Sequence, residues 1–380
     1  MNKFKFYFIL LITSITIFSC SKNDDSATIE PPRDYAVQYK TDSLTIDTYL
    51  RTNYITTTNA PGETSDQDVV ISKITDATTQ NSIMSYLDAA TYPKLLKRLV
   101  KQNNVDYTLY YLVLREGKRD AVTGLGGVSP CNVDNVLTSY KGTYLSNTTA
   151  TETTPSTITA TQFDELIYPE TYFELFTTLA IPLRGWSEIF PQFKTGSYFS
   201  RANGTISYTD FGAGVMFLPS GLGYYNTGAG SIPAYAPLVF SFKLYEIQRA
   251  DQDNDGIPSY LEEGENSKDG YMKFYSSTAT VTDAIRYADD YDKDGTPDFL
   301  DVDDDGDNYT TRLEITKPGG SNLLLDGPSL YYPYDPIVSD PPKATDEKRG
   351  IPAYSTGTPD YTSPNRKRIH LDKDHHTAKP

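Results

Sequence analysis

Tyr107-Thr-Leu-Tyr-Tyr-Leu-Val-Leu114 is where the chain changes its period. Upstream, between Ser82 and Val105, the apolar positions Ile83, Tyr86, Leu87, Leu95, Leu96 and Leu99 have the spacing of an amphipathic helix, broken near Pro93. From Tyr107 onward the period is two, which predicts a strand. Val136 to Leu145, Val215 to Pro219 and Leu238 to Ile247 read as further strands, separated by turns rich in Gly, Asn and Thr. Among them, Ser187 to Phe193 is the one short helix candidate. The fold class expected is α+β, an antiparallel sheet wrapped around a short helix. Residues 35–104 are expected to form a small helical N-terminal region, a cap or a dimerisation element, without chemistry of its own. Ser146 to Gln162 and Tyr198 to Gly214 are polar enough to be expected as long loops outside the core.

Around the helix candidate the order of residues is specific. Pro182-Leu-Arg-Gly-Trp-Ser-Glu188 is followed by Lys194-Thr-Gly196. Further on come Leu218-Pro-Ser-Gly-Leu-Gly-Tyr224 and Gly228-Ala-Gly-Ser-Ile-Pro-Ala-Tyr-Ala-Pro-Leu-Val-Phe240, and upstream stands Val136-Leu-Thr-Ser-Tyr-Lys-Gly142. Taken in order over residues 105–248, these motifs resemble the FKBP-type peptidyl-prolyl cis-trans isomerases. Residue by residue, the resemblance implies a pocket of Tyr140, Phe163, Asp164, Phe173, Leu183, Trp186, Tyr224, Ile232 and Phe240. It implies Trp186 as the floor, a wall of Phe163, Phe173, Phe240, Leu183 and Ile232 around a prolyl ring, and substrate backbone held by Tyr224 and the Leu183 N–H. It also implies that Asp164 orients Tyr140 or polarises the site. This chain departs from the family's pattern at Pro182, in the two long loops and in lacking the histidine often found in the last loop, while Tyr225 competes with Tyr224 for its place.

Such a pocket is chemically sufficient for isomerisation. A peptide bond resists rotation by roughly 18–20 kcal/mol because resonance gives it partial double-bond character, and X-Pro bonds alone populate both isomers appreciably. The twisted amide has lost that resonance and separates less charge, so a dry aromatic basin favours it with no nucleophile, cofactor or proton shuttle. The expected substrates are Pro-containing polypeptides. A rival expectation is a binding or chaperone protein that keeps the fold without turnover.

Aspartates take over after Gln248. Asp251, Asp253, Asp255, Gly256, the Ile257 carbonyl and Glu262 have the 1, 3, 5, 6, 7, 12 spacing of a calcium loop. The pattern recurs with Asp290, Asp292, Asp294, Gly295, Thr296 and Asp301, and again from Asp301 through Asp303, Asp305 and Gly306. In that frame Asp301 belongs to two loops, and Glu314 stands in for Arg312 at the third loop's last position. Pro258 and Pro297, at the eighth positions, oppose the exiting helix of an EF-hand. The run resembles the type 3 thrombospondin repeats of secreted proteins, and structural calcium is the cofactor expected over residues 249–325.

The chain's net charge of -16 is concentrated there, with 19 acids against 5 bases between Asp251 and Glu314. Local excess of this kind points to multivalent cations and away from nucleic acid. At the N-terminus, Lys3 and Lys5 precede the apolar run Phe6 to Phe18, too short for a membrane span, and then Ser19-Cys20. This resembles a lipoprotein signal (residues 1–20) with Cys20 acylated, followed by a tether over 21–34. The expected location is the outer membrane, facing the periplasm or the cell surface. With Cys20 lipidated, Cys131 has no intrachain partner. His370, His375 and His376 all lie in the Pro-rich, finally basic stretch 326–380, expected as a disordered tail, which leaves the folded body without a histidine.

Overall fold

The computed structural model describes residues 31–148, 157–176, 183–262, 271–272, 288–319, 323–354 and 357–376. The Cys20 site and the signal segment lie outside the described residues. Residues 31–34, in the Met1–Asp34 unit, form no helix or strand. Among the described residues no helix is long and apolar enough to cross a membrane.

The Tyr35–Pro380 unit is α+β and is organised by an antiparallel sheet. Its strands, in sheet order, are β3 (Lys94–Gln102), β4 (Val105–Arg115), β10 (Gly212–Leu218), β11 (Leu238–Gln248), β5 (Asn135–Thr148) and β6 (Thr157–Leu166), with β7 (Phe173–Glu174) paired to β5. The strand runs expected from period two fall inside β4, β5 and β11 and on β10. The expected helix appears as α2 (Arg184–Ile189), continued by a 3-10 turn over Phe190–Gln192.

The central strands of this sheet are buried on both faces, and β4 alternates between two cores. Tyr107, Leu109, Tyr111 and Val113 point to the face covered by Trp186, Ile189, Phe190 and Phe193. Leu112 and Leu114 point to the opposite face, which is covered by α1 (Tyr35–Thr52) through Ile46, Tyr49 and Leu50. That i, i+3, i+4 spacing is an apolar helical stripe, and each large side chain so buried contributes about 1.5–3 kcal/mol. β10, at the centre, is buried at every residue. The N-terminal region is therefore a cover for the chain's own sheet, completed by the hairpin β1 (Asn53–Thr57) and β2 (Val69–Lys73).

One expectation for that region is corrected. Lys94–Gln102 is the strand β3, at the edge of the sheet, and no part of a helix. Leu95, Leu96 and Leu99 have helical spacing, but Asn103-Asn104 forms a two-residue turn with φ of 50° and 57° that folds β3 back on β4. Asparagine tolerates this left-handed backbone, as tight hairpins require. Lys97 and Lys101 stay exposed, which suits an unpaired edge. The loops expected at Ser146–Gln162 and Tyr198–Gly214 are also partly strand: β5 and β6 run into the first, while β8 (Ser197–Ser200) and β9 (Ile206–Thr209) form a hairpin in the second.

The stretch expected as a disordered tail is folded over its described residues. Tyr332, Ile351 and Ile369 are buried with Ile257 and Ile315 from the Asp-rich region. Arg366 donates through Nε to the Ile351 carbonyl at 2.6 Å, and Arg368 pairs with Asp335 at 2.8 Å. The sequence is poor in apolar residues, yet three well-spaced ones joined to a neighbouring apolar set suffice for a small core. His370 is buried in it, its pKa pushed down to about 3 by burial and then by Arg368 and Arg366. A histidine therefore does lie in the folded body. Cys131 is buried as a free thiol, pushed up to about 11 by burial.

Asp42 of α1 fixes the cover to the loop after β10. It is 1% exposed and accepts from the Ser220 N–H at 2.8 Å, the Ser220 hydroxyl at 2.6 Å and Gln38 Nε2 at 2.7 Å. Replacing it by Ala leaves buried donors unmatched, at about 1–3 kcal/mol for each. Asp42→Ala is expected to lower the urea midpoint of the full chain by the equivalent of about 2–4 kcal/mol. A change under about 0.5 kcal/mol, the level of an ordinary surface substitution, would show that α1 is not locked here.

Candidate functional site

The aromatic cavity is assembled at the mouth of the sheet. Tyr140 comes from β5, Phe163 and Asp164 from β6, Phe173 from β7, Phe240 from β11, Trp186 from α2, Leu183 from its N-cap and Tyr224 from the loop after β10. These eight, with Glu174 and Leu175, line a cavity of about 180 Å³. Ile232, the ninth residue expected there, is buried in the same core but is not among the lining residues. Glu174 and Leu175 were not expected; their position next to Phe173 was the one signal available for them.

Trp186 is 7% exposed and meets Tyr140, Phe173, Phe190 and Phe240 edge to face, with centroid separations of 5.2, 5.7, 5.3 and 5.3 Å. Edge-to-face packing sets each ring's positive rim against a neighbour's negative face and holds the set rigid. The indole N–H is buried without an acceptor among the described residues. Gly142 on β5 makes room for the ring of Phe163, since a Cβ there would collide with it and press on Phe240. The Tyr140 hydroxyl donates to Asp164 Oδ2 at 2.5 Å. Burial, then this bond and the carboxylate's charge, raise the Tyr140 pKa, so its hydroxyl stays protonated at neutral pH. Tyr224 is raised in the same direction by burial and then by Asp164. The cavity thus offers an apolar basin with a few fixed polar groups at its edge and no charged group on its floor.

The Asp-rich region forms three loops on one plan, beginning at Asp251, Asp290 and Asp303. In each, the backbone N–H of the sixth residue donates to the first carboxylate: Gly256 to Asp251 at 3.1 Å, Gly295 to Asp290 at 3.0 Å, Asn308 to Asp303 at 2.9 Å. The seventh donates to the fifth, from Ile257, Thr296 and Tyr309 to Asp255, Asp294 and Asp307. The ninth N–H bonds the carbonyl just before the loop, from Ser259, Asp298 and Thr311 to Ala250, Asp289 and Val302.

This register corrects the third loop. It starts at Asp303, not at Asp301, so its carboxylates are Asp303, Asp305 and Asp307, and Glu314 falls on position 12. Gly306 is its fourth residue, with φ of 70°, where Asn254 and Lys293 stand at 63° and 68° in the other loops. Asn308 takes the sixth position with φ of 73°, where the other loops have Gly256 and Gly295. The glycine that marked position 6 twice marks position 4 the third time. Asp301 then closes the second loop alone and is not shared. Pro258 and Pro297 precede single 3-10 turns, whereas Thr310 caps a one-turn helix over Thr311–Glu314.

The residues fit a hard divalent cation. In each loop one oxygen from each of positions 1, 3 and 5 lies within 4.8 Å of the other two. Asp251 Oδ1, Asp253 Oδ2, Asp305 Oδ2 and Glu314 Oε1 are buried with no donor among the described residues. Burial first, and then neighbouring carboxylates, push Asp253 up to about 8 and Glu314 up to about 9. Groups so placed favour a bound cation, which supplies the charge the chain withholds.

Residues 252–345 match the family described as BamM C-terminal, about a quarter of the chain, running across the loops into the segment that packs behind them. No curated protein matches the sequence. Among the solved structures similar to part of it are two bacterial proteins. One is a peptidyl-prolyl cis-trans isomerase from Pseudomonas syringae pv. tomato, 17% identical, covering 42% of this chain and 84% of its own, with a TM-score of 0.25. The other is FkpA from Escherichia coli, 20% identical, covering 42% of this chain and 54% of its own, with a TM-score of 0.24.

The register yields a prediction for calcium titrations of the full chain. Asp307→Asn is expected to remove one binding step and Asp301→Ala to weaken one step, each by about tenfold or more, as loss of a carboxylate ligand does. Two steps weakened together by Asp301→Ala would return the third loop to the Asp301 frame.

Proposed function

We propose that the protein is a peptidyl-prolyl cis-trans isomerase acting on exported proteins, tethered at the outer membrane through lipid on Cys20, with a C-terminal region ordered by calcium. The convergence of eight of the nine residues implied by the FKBP resemblance on one cavity carries this reading. They come from four strands, a helix with its cap and a loop, spread over 101 positions from Tyr140 to Phe240.

In this reading the prolyl ring of a substrate enters over Trp186, against Phe163, Phe173 and Phe240. Removing the X-Pro amide from water disfavours its planar, charge-separated form more than the twisted one, which lowers the barrier to rotation. The tyrosine hydroxyls at the rim hold substrate backbone, and Asp164 fixes that of Tyr140 at 2.5 Å. No proton is transferred. A catalyst of this kind has only to lower a barrier of roughly 18–20 kcal/mol by a few kcal/mol for minutes to become seconds.

The test is an isomerisation assay with X-Pro peptides on the purified full chain in calcium. Acceleration is expected; a folded, calcium-loaded chain that accelerates none of a panel of X-Pro peptides would sink the enzyme reading. Tyr224→Phe should lower kcat/KM about threefold to tenfold with little change in stability, the worth of about one neutral hydrogen bond. Trp186→Ala should abolish turnover and also cost about 3–5 kcal/mol of stability, so only the pair of variants separates site from scaffold.

A further inference from the structure

Where the first and third loops meet, a further group of carboxylates comes together that the repeat itself does not explain. Asp255 is the fifth residue of the first loop, Glu262 its twelfth, and Asp304 the second residue of the third loop. One oxygen of each lies within 4.8 Å of the other two. The second position holds Gln252 and Tyr291 in the other loops, so Asp304 has no acidic counterpart there.

All three side chains are buried, at 1%, 7% and 2% exposure. Among the described residues nothing donates a hydrogen bond to Asp255 Oδ2, to either oxygen of Glu262 or to either oxygen of Asp304. Asp253, Asp298 and Asp301, the nearby groups whose charge is felt by Glu262 or Asp304, are acidic as well. Arg312 acts on Asp255 from the last turn of the third loop, but its Nη1 is directed to the Asn254 carbonyl. Buried carboxylates that face one another and accept nothing are strongly unfavourable unless a cation lies among them. Oxygens up to 4.8 Å apart are those that sit on opposite sides of an ion with bonds of about 2.4 Å.

We propose that Asp255, Glu262 and Asp304 hold a further divalent cation of the calcium class, which ties the first loop to the third. Asp255 serves both this site and the first loop's own, and the ion closes the chain across the residues between Glu262 and Asp304. The site rests on the reading of the three loops as cation loops.

Calorimetric titration of the chelator-stripped full chain with calcium tests it, with Asp304→Asn as the probe and Asp292→Asn as the loop control. Asp304→Asn is expected to bind one equivalent fewer than the unmutated chain. In chelator it should melt at a higher temperature, because one buried like charge is gone, and its rise in Tm on adding calcium should be smaller. An undiminished number of equivalents, or a lower Tm in chelator with the full calcium rise, would make Asp304 a structural residue and overturn the proposal. Loss of one equivalent in Asp292→Asn but none in Asp304→Asn overturns this site alone. No calcium uptake by the unmutated chain overturns the loop reading and this site with it. Should Asp304→Asn not fold, Glu262→Gln is read by the same two measurements, with the same outcomes deciding.

Discussion

Burial of the sheet's central strands on both faces is the constraint from which the rest follows. A strand such as β10, enclosed at all seven residues, has no solvent face, so each side must be given a partner. On one side α2 and the 3-10 turn after it bring Trp186, Ile189 and Phe190; on the other, α1 brings Ile46, Tyr49 and Leu50. The aromatic cavity lies on the first of these faces, between Trp186 of α2 and residues of β5, β6, β7 and β11. Its rigidity is inherited from a core in which Trp186 is already held by four rings.

The cover also reaches the cavity's loop. Tyr35 stacks on Tyr225 at 4.0 Å, and Asp42 holds Ser220, so both ends of the segment carrying Tyr224 are fixed to α1. Tyr225 itself has φ of 42°, a conformation that needs support from its surroundings. Of the two adjacent tyrosines, the one with strained backbone turns to α1 and the other to the cavity, which resolves the competition between them left open by the sequence.

How much of this was legible depends on whether a signal was local. Period two in Tyr107–Leu114 and in the later runs fixed β4, β5, β10 and β11, because alternation and β-branched content are properties of a few residues. The cavity residues were legible only through ordered motifs, since nothing local tells Phe163 from a core phenylalanine. β3 was misread because its leucines carry helical spacing, while the deciding feature, the Asn103-Asn104 turn, depends on a partner strand. Gly306 misled for a related reason: glycine satisfies a left-handed position wherever it falls, and only the hydrogen bonds from Asn308 and Tyr309 reveal the frame. The C-terminal core needed Ile257 and Ile315 from another segment before Ile351 and Ile369 had anything to bury against.

The loops and the cavity share two strands, and this limits how one can act on the other. β11 carries Phe240 and runs out at Gln248 directly into the first loop at Asp251; β5 carries Tyr140 and begins at Asn135, beside Asp134. Asp134 is fully buried and accepts from Arg249 Nη1 at 2.5 Å, the Cys131 N–H at 2.6 Å and the Ala250 N–H at 3.3 Å. Gln252 reaches the Val133 carbonyl at 2.9 Å, and Phe299 of the second loop packs with Cys131, Val133 and Phe176. The first loop therefore contacts the end where β5 starts and β11 finishes, and there a proposed ion would act. Tyr140 lies five residues into β5 and pairs with Phe242, and a bulge between Leu244 and Glu246 separates that pair from the loop end of the ladder. Packed strands transmit position poorly unless they have two arrangements to choose between, and the ring cluster around Trp186 favours one. In the proposed reading the cation loops hold the C-terminal region in place against the sheet, while the cavity keeps its shape from its own core.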